Sequence, residues 1–274
     1  GSAVMDGDNG LGPVVGGTAL RIACELASSN GVSFVCCRNS QHFGAIAPYA
    51  QQACDQKLVC FAGTNAYPTM APWGGAESKV GNNPVGFGAP RQSGPHFILD
   101  IAMSIVARGK IRKSLEKNES IPEGWAVDKQ GVPTTDPSEA LNGFVLPIGG
   151  HKGYGIALAI DILAGVLSGG AVADEVNSLF KQKEHAQRVG HFFIVIDPAV
   201  TIGMELYHER MEALYTAMKN CRPQDAHSPV LLPGEIESRT AEKYRRSGIP
   251  IDHDLLTSLR RLAAGEAPAD VPQA

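Results

Sequence analysis

The chain lacks a strong charge of either sign: 24 Lys and Arg stand against 28 Asp and Glu over 274 residues, a formal balance of −4. A nucleic-acid or polyanion binder would carry a basic excess, so neither partner has an electrostatic footprint here. A membrane-length apolar run is also missing. The longest one in the C-terminal half, Ile156 to Leu167, is interrupted by Asp161 and falls short of the roughly 20 residues a span needs. The opening GSAVMDGDNG shows no basic segment followed by an apolar one, so no secretory leader is read on the chain and a cytoplasmic location is expected. No C-x-x-C joins the six cysteines Cys24, Cys36, Cys37, Cys54, Cys60 and Cys221, which removes the strongest signal for structural zinc or a dithiol site. Four of them lie in apolar segments, and reduced core thiols are expected. No histidine pair stands at helical i,i+4 spacing, so spacing argues no metal site. Neither G-x-G-x-x-G nor G-x-x-x-x-G-K-[ST] is present, which excludes a Rossmann or P-loop reading.

What is present is an alternation of helical and extended patterns in an ordinary globular mix, 43% hydrophobic and 19% charged. Residues 16–29 place Leu20, Ala23, Cys24 and Ala27 at helical spacing and stop at Asn30-Gly31. VSFVCC, apolar without interruption, predicts a strand covered on both faces. RNSQHFG follows at 38–44, then a helix over about 45–54 and a second strand, LVCFAG. The glycine- and proline-rich middle, TNAYPTMAPWGG and GNNPVGFGAP, marks loops and irregular strands before the strand-like HFILDIA. PEGWAVDKQGVPTTDP reads as a short strand and turn. HKGYGIALAIDILAGVLSGG predicts a helix apolar almost all round and therefore central to the molecule. HFFIVIDPAV, residues 191–200, is the clearest strand, and 204–220 is an amphipathic helix. The tail predicts a short final helix and a frayed DVPQA. No internal repeat is found, and length and composition alone allow one large domain or two smaller ones.

Two polar clusters stand out. In RNSQHFG, His42 follows a buried strand, flanked by Asn39 and Ser40 that can orient its ring; a histidine so placed suits acid–base chemistry near neutral pH, or is a hydrogen-bonded structural group. In IGGHKGYG, glycines at 149, 150, 153 and 155 surround His151 and Lys152 where a helix begins. Backbone N–H groups, the positive helix end and an ammonium converge there on an anion, or the glycines merely permit close packing. Arg108, Lys110, Arg112 and Lys113 offer a basic patch for phosphate, with a solvated face the favoured reading. Ser40 and His42 alone make no triad signature.

Taken together and in order, VMDGDNGLG, RNSQHFGAIAPYA, APWGG with GNNPVGFGAP, LDIAMSIVARGKI, PEGWAVDKQGVPTTDP, LPIGGHKGYGIALAIDILAGVLSGG, GHFFIVIDPA and LLPGEIE resemble the malate/L-lactate dehydrogenase family. This family of NAD(P)-dependent oxidoreductases lacks the Rossmann fold and includes ureidoglycolate, sulfolactate and diketogulonate enzymes and a cyclic imine reductase. The resemblance implies an α/β fold of the α+β type, a mixed and largely antiparallel sheet wrapped by helices, with a cofactor cleft and a homodimer. It makes 1–274 a single catalytic and cofactor-binding region of the family, and it places the HFG histidine, proton acceptor or donor in some members, on His42. The cofactor-facing D-x-A-x-S falls on Asp100, Ile101, Ala102 and Ser104, the T-N pair on Thr64 and Asn65, the H-K pair on His151 and Lys152, and the P-G-E turn on Gly234 and Glu235. Ala66 stands where some relatives carry serine.

The resemblance further implies hydride transfer between NAD or NADP and C2 of a small 2-hydroxy or 2-oxo acid such as malate, lactate or ureidoglycolate. In that scheme His42 exchanges the hydroxyl proton, oriented by Asn39 or Ser40; Lys152 binds the anionic cofactor and Arg38 assists the substrate carboxylate. The family's N-terminal helical segment, with its Ser-His-Gly motif and arginine, has no counterpart in the sequence. That leaves a fragment, a segment supplied separately, or lost activity. The competing expectations are therefore a catalytically silent NAD(P)-binding fragment and, from the scattered histidines, a metal-dependent hydrolase. No nucleic acid, membrane or metal is expected as a partner.

Overall fold

The structure is a computed structural model that describes residues 1–179, 184–225 and 228–266. In chain order the elements are β1 (Ser2–Asp6), α1 (Gly12–Asn30), β2 (Val32–Ser40), α2 (Ala47–Asp55), β3 (Val59–Thr64), β4 (Pro68–Met70), β5 (Val80–Gly81), β6 (Val85–Ala89) and β7 (Phe97–Ile101). There follow α3 (Arg108–Glu116), β8 (Ala126–Val127), β9 (Pro133–Thr134), α4 (Pro137–Asn142), β10 (Phe144–Val145) and α5 (His151–Asp161). After α5 come a π-helical turn (Ile162–Val166), β11 (Val189–Ile196) and α6 (Met204–Lys219). Gly1–Gly234 forms one compact unit; a second begins at Glu235 and contains α7 (Glu235–Ser247) and α8 (His253–Ala263). DVPQA, expected to fray, lies outside the described residues.

Six strands form the main sheet in the order β1-β2-β11-β3-β6-β7. β1 runs parallel to β2, and every other neighbouring pair is antiparallel. Period-2 alternation explains why its inner strands read as unbroken apolar runs. Val35, Cys37, Ala62, Phe193 and Val195 pack with Leu20 and Ala23 of α1 and Ala53 of α2. Their sequence neighbours Cys36 and Phe192 join Ile160 of α5 and Ile111 of α3 in a second cluster, with Phe61 and Ile194 packed against it. β11 is central because it carries large apolar groups for both layers.

Helix α1 ends as its sequence predicts: Gly31 adopts φ 85°, and its N–H bonds the Ala27 carbonyl at 2.6 Å. It begins earlier than residue 16, with Pro13 in its first turn, where the missing proline N–H costs no hydrogen bond. The helix expected at the molecular centre is different. Gly153, Ala157, Ile160 and Asp161 are buried, but Ile156 and Ile162 are half exposed and Val166 is 58% exposed. An all-round apolar segment is buried all round only if partners cover both sides, and within this chain the sheet covers one. Among the described residues no helix is long and apolar enough to cross a membrane.

Candidate active site

The C-terminal ends of β2 and β3 meet the start of β11, where the β2–β11 register shifts between Val189 and His191. Gly190 sits in this bulge because nothing larger fits: a Cβ there would lie 2.1 Å from the Ala164 carbonyl oxygen. Asn65 holds its backbone from both sides, Oδ1 accepting from Gly190 N–H at 2.8 Å and its own N–H donating to Gly190 O at 3.2 Å. Bulges re-aim the side chains beside them. Here the fully buried His191 ring spans two hydroxyls, with Nδ1 2.9 Å from Thr64 Oγ1 and Nε2 2.8 Å from Ser40 Oγ, while Phe43 stacks on it at 4.1 Å. Burial drives its pKa down to about 3, opposed by the Gly190 backbone and assisted by the charge of His42. The ring is neutral at physiological pH.

His42 itself is exposed on the loop above. Its N–H donates to Gln187 Oε1 at 2.8 Å, and its carbonyl abuts Gly12, where a Cβ would come within 2.0 Å of the oxygen. Phe43 underneath stacks on Tyr49 at 4.4 Å, and the Tyr49 hydroxyl donates to the Phe43 carbonyl. Just beyond, Ile46 and Ala47 N–H groups donate to Asp100 Oδ2 at 2.8 and 2.9 Å. The Asp100 carboxylate thus closes the N-terminus of α2, a structural duty that the sequence reading missed.

Neither neighbour orients His42 as expected. Ser40 turns inward to His191. Asn39, at φ 53°, breaks the strand's alternation and donates to both Asp6 oxygens, and Arg38 Nε also donates to Asp6 Oδ2 at 3.0 Å. The N–H of Asp8, with Arg38 and Asn39, holds the Asp6 carboxyl below its usual range. Arg38 is therefore engaged in an ion pair on the β1 side.

Thr64 and Asn65 belong to a second buried network. Asn65 Nδ2 donates to Ala171 O, Ala66 N–H to Asn83 Oδ1, and Asn83 Nδ2 to Ala157 O and to Asp161 Oδ2 at 3.1 Å. Burial raises the pKa of Asp161 against the bonds from Asn83 and Asn65. A carboxylate in the middle of an apolar helix was the available signal for this network. From Asn82 the chain of contacts continues: Met103 N–H donates to Asn82 O, Ile105 N–H to Leu146 O and Ile148 N–H to Met103 O. The 100–104 segment thereby runs beside the residues that deliver α5.

At the start of α5, Gly149 and Gly150 have φ 61° and 63°, and no side chain caps the first turn. His151 and Lys152 are exposed there, with Trp73 edge-on to His151 at 5.6 Å. Ser104, in contrast, is buried and donates to Val106 O. Gly234, at φ 92°, packs on the first residues of β7, while Glu235 opens α7. Arg108 is half-buried with Nη2 on Leu141 O, and burial lowers its pKa, so it does not belong to the solvated face expected for it. Five cysteines are buried free thiols; burial lifts Cys37 and Cys54 to about 12, where a thiolate is not available at physiological pH. Among the described residues, no group of three or more His, Cys, Asp or Glu is placed to hold a metal ion.

Comparison with known proteins agrees with this architecture. The chain is 41% identical over 261 residues to L-sulfolactate dehydrogenase of Methanocaldococcus jannaschii, covering 95% of this chain and 74% of that one. It is 34% identical over 254 residues to the ureidoglycolate dehydrogenase (NAD(+)) of Escherichia coli, covering 93% and 72%. The solved structure of the Methanocaldococcus jannaschii sulfolactate dehydrogenase superposes with a TM-score of 0.86 at 40% identity, over 97% of this chain and 76% of that one. Residues 1–260 match the family description malate/L-lactate dehydrogenase, and the chain belongs to that family.

Proposed function

We propose that the chain is an NAD(P)-dependent oxidoreductase that transfers a hydride between the dinucleotide and C2 of a small 2-hydroxy or 2-oxo acid, with His42 as the proton-transfer group. The observation that carries this reading is one hydrogen-bonded rim. It links the His42 loop to Asp100, Ala66, directly after Thr64–Asn65, to Asn83, and the neighbouring Asn82 through Met103 to the start of α5. The residues fit an anionic dinucleotide: uncapped first-turn N–H groups, two left-handed glycines and an exposed ammonium collect in one place, beside an indole with its own exposed surface. Lys152, His151 and the backbone at 149–152 would hold it there, with Thr64, Asn65 and the Asp100, Ile101, Ala102 and Ser104 segment framing it. When bound, the nicotinamide supplies the hydride acceptor or donor.

The protein's own part is proton transfer and exclusion of alternatives. In oxidation His42 takes the hydroxyl proton as the C2–O bond becomes a carbonyl, and it returns that proton in reduction. Its backbone N–H is held by Gln187 and its carbonyl packs closely on Gly12, while the residue itself is exposed. The half-exposed apolar face of Ile156, Ile162 and Val166 supports a homodimer, and the buried free thiols suit a reducing, cytoplasmic compartment.

The test is turnover of a panel of 2-hydroxy and 2-oxo acids with NAD and NADP. His42→Ala is expected to lower kcat by about 10²-fold on any accepted substrate, and a variant within tenfold of the parent removes the His42 role. A chain that binds NAD(P)H and turns over no acid on the panel is the silent binder instead.

A further inference from the structure

We infer that His191 is a positioning residue, coupling the His42 loop to the Thr64–Asn65 segment through a hydroxyl–imidazole–hydroxyl bridge across the ends of β2, β11 and β3. The inference rests on the acid–base reading of His42 given above.

The direction of each hydrogen bond follows from proton counting. Thr64 Oγ1 lies 2.8 Å from Asn65 O and 2.9 Å from Gly190 O. Its single proton goes to one of those carbonyls, so toward His191 the oxygen accepts, and Nδ1 carries the ring proton. Nε2 is then a lone pair and accepts the Ser40 hydroxyl, whose other acceptor, Gln41 O, is 3.5 Å away. The opposite tautomer would set Thr64 Oγ1 against two carbonyl oxygens with no proton between them and leave the Ser40 hydroxyl only its 3.5 Å contact, so the Nδ1–H form is the one assigned.

A serine donating to a histidine Nε2 has the polarity of a nucleophile and its base, but this pair does not serve as one. Ser40 and His191 are both 0% exposed, and the Phe43 ring stacks on the imidazole. No substrate reaches the serine. What the bridge does reach is the backbone on either side of the proposed site. On one arm, Ser40 precedes His42 by two residues and Phe43 follows it directly, so the His42 backbone is flanked on both sides by a residue that bears on the same ring. On the other arm, Thr64 adjoins Asn65, which clamps Gly190 and takes part in the Asp161 network.

A polar bridge at this point specifies geometry that an apolar filler would not. Hydrophobic packing is non-directional, whereas a ring held at both nitrogens fixes the distance between two strand ends. The register shift between Val189 and His191 precedes the ring directly, and the close approach of Ala164 O leaves no room for a side chain at Gly190. The two arms predict separable effects: the Ser40 arm governs the placement of His42, and the Thr64 arm governs the dinucleotide-facing segment.

The substitutions that split the arms are isosteric with half of the imidazole. His191→Asn presents an amide near the Nδ1 position and retains the Thr64 bond; His191→Gln reaches the Nε2 position and retains the Ser40 bond. In the full chain, His191→Asn and Ser40→Ala are expected to lower kcat about tenfold with dinucleotide Kd, measured by NADH titration, nearly unchanged. His191→Gln and Thr64→Val are expected to raise that Kd about tenfold, with Thr64→Ser restoring it. Proton NMR supplies a readout independent of turnover: the parent shows a slowly exchanging imidazole N–H resonance, lost in both His191 variants, shifted in Thr64→Val and retained in Thr64→Ser. Ser40→Ala and Thr64→Val test the bridge even if the His191 variants do not fold. Both leaving kcat and Kd within twofold of the parent would overturn the positioning role. If His42→Ala retains its rate, the acid–base reading fails by itself, and the bridge is then judged on the NADH affinities and the N–H resonance.

Discussion

The strand ends around His191 bury polar groups that a globular interior usually avoids, the outer side of α5 exposes apolar groups that an interior usually takes, and the two are finished to different degrees. At the strand ends both His191 nitrogens, the Ser40 and Thr64 hydroxyls and the Asn65 amide have partners within the chain. At α5 the first turn is uncapped, Lys152 is exposed and Ile162 and Val166 face outward. On the function proposed above, the difference separates two tasks. Reaction geometry needs groups that do not move, so it is held in a dry interior where every polar atom is satisfied. Binding needs groups whose partners arrive from outside, so it is left on a surface with unspent donors and apolar area.

The largest break in this contrast comes from filling the bulge. Gly190→Ala drives a Cβ to 2.1 Å from the Ala164 carbonyl, a clash with backbone that no rotamer change relieves. A loss of about 3 kcal/mol or more is expected in urea denaturation, at the upper end of single substitutions. A variant within 1 kcal/mol of the parent would mean that the π turn yields, and the strand ends would then be softer than their hydrogen bonds imply.

A smaller effect comes from acid. His191 has a folded pKa near 3 against about 6.5 unfolded, so unfolding takes up a proton below that value. Stability is full above about pH 6.5 and falls as pH drops, by about 2 kcal/mol between pH 7.5 and pH 5 from this group. Other groups titrate in that window as well, so the measurement is the difference in pH slope between the parent and His191→Asn. Equal slopes would place the ring's partial protonation, or its water access, at odds with its burial.

Much of the scaffold was legible in the sequence because it is written locally. Periodicity marked β2, β3 and β11, and Asn30-Gly31 marked the end of α1, since each signal lies within a few residues of the element it governs. The resemblance that rests on HFG, DIAMS and GGHKGYG named the segments that the rim joins. What was not legible depends on residues far apart: Ser40 and His191 are separated by 151 positions, and no local pattern says that they meet. Gly190 ahead of an apolar strand was a bulge signal left unread. Asn39 was assigned to His42 by adjacency, whereas its left-handed backbone sends it to Asp6. The exposed face of α5 was misread because apolar composition tells that a surface will be covered and not by which chain.

The finest division of the comparison lies inside α5 itself, between Lys152 and Gly155. Lys152 is exposed with no ion pair among the described residues, so removing its charge leaves folding untouched; Lys152→Ala is expected to weaken NADH binding about tenfold while the urea midpoint stays put. Gly155 has nothing within 4 Å of a built Cβ and sits in a helix interior, where alanine gains about 0.5–1 kcal/mol over glycine. Gly155→Ala is therefore expected to raise the urea midpoint slightly. If that open space is where the dinucleotide lies close to the helix, the same methyl group also lowers NADH affinity. A more stable variant with weaker binding marks Gly155 as part of the cofactor surface; a more stable variant with unchanged affinity restricts the anion contact to the first turn, at Gly149 to Lys152.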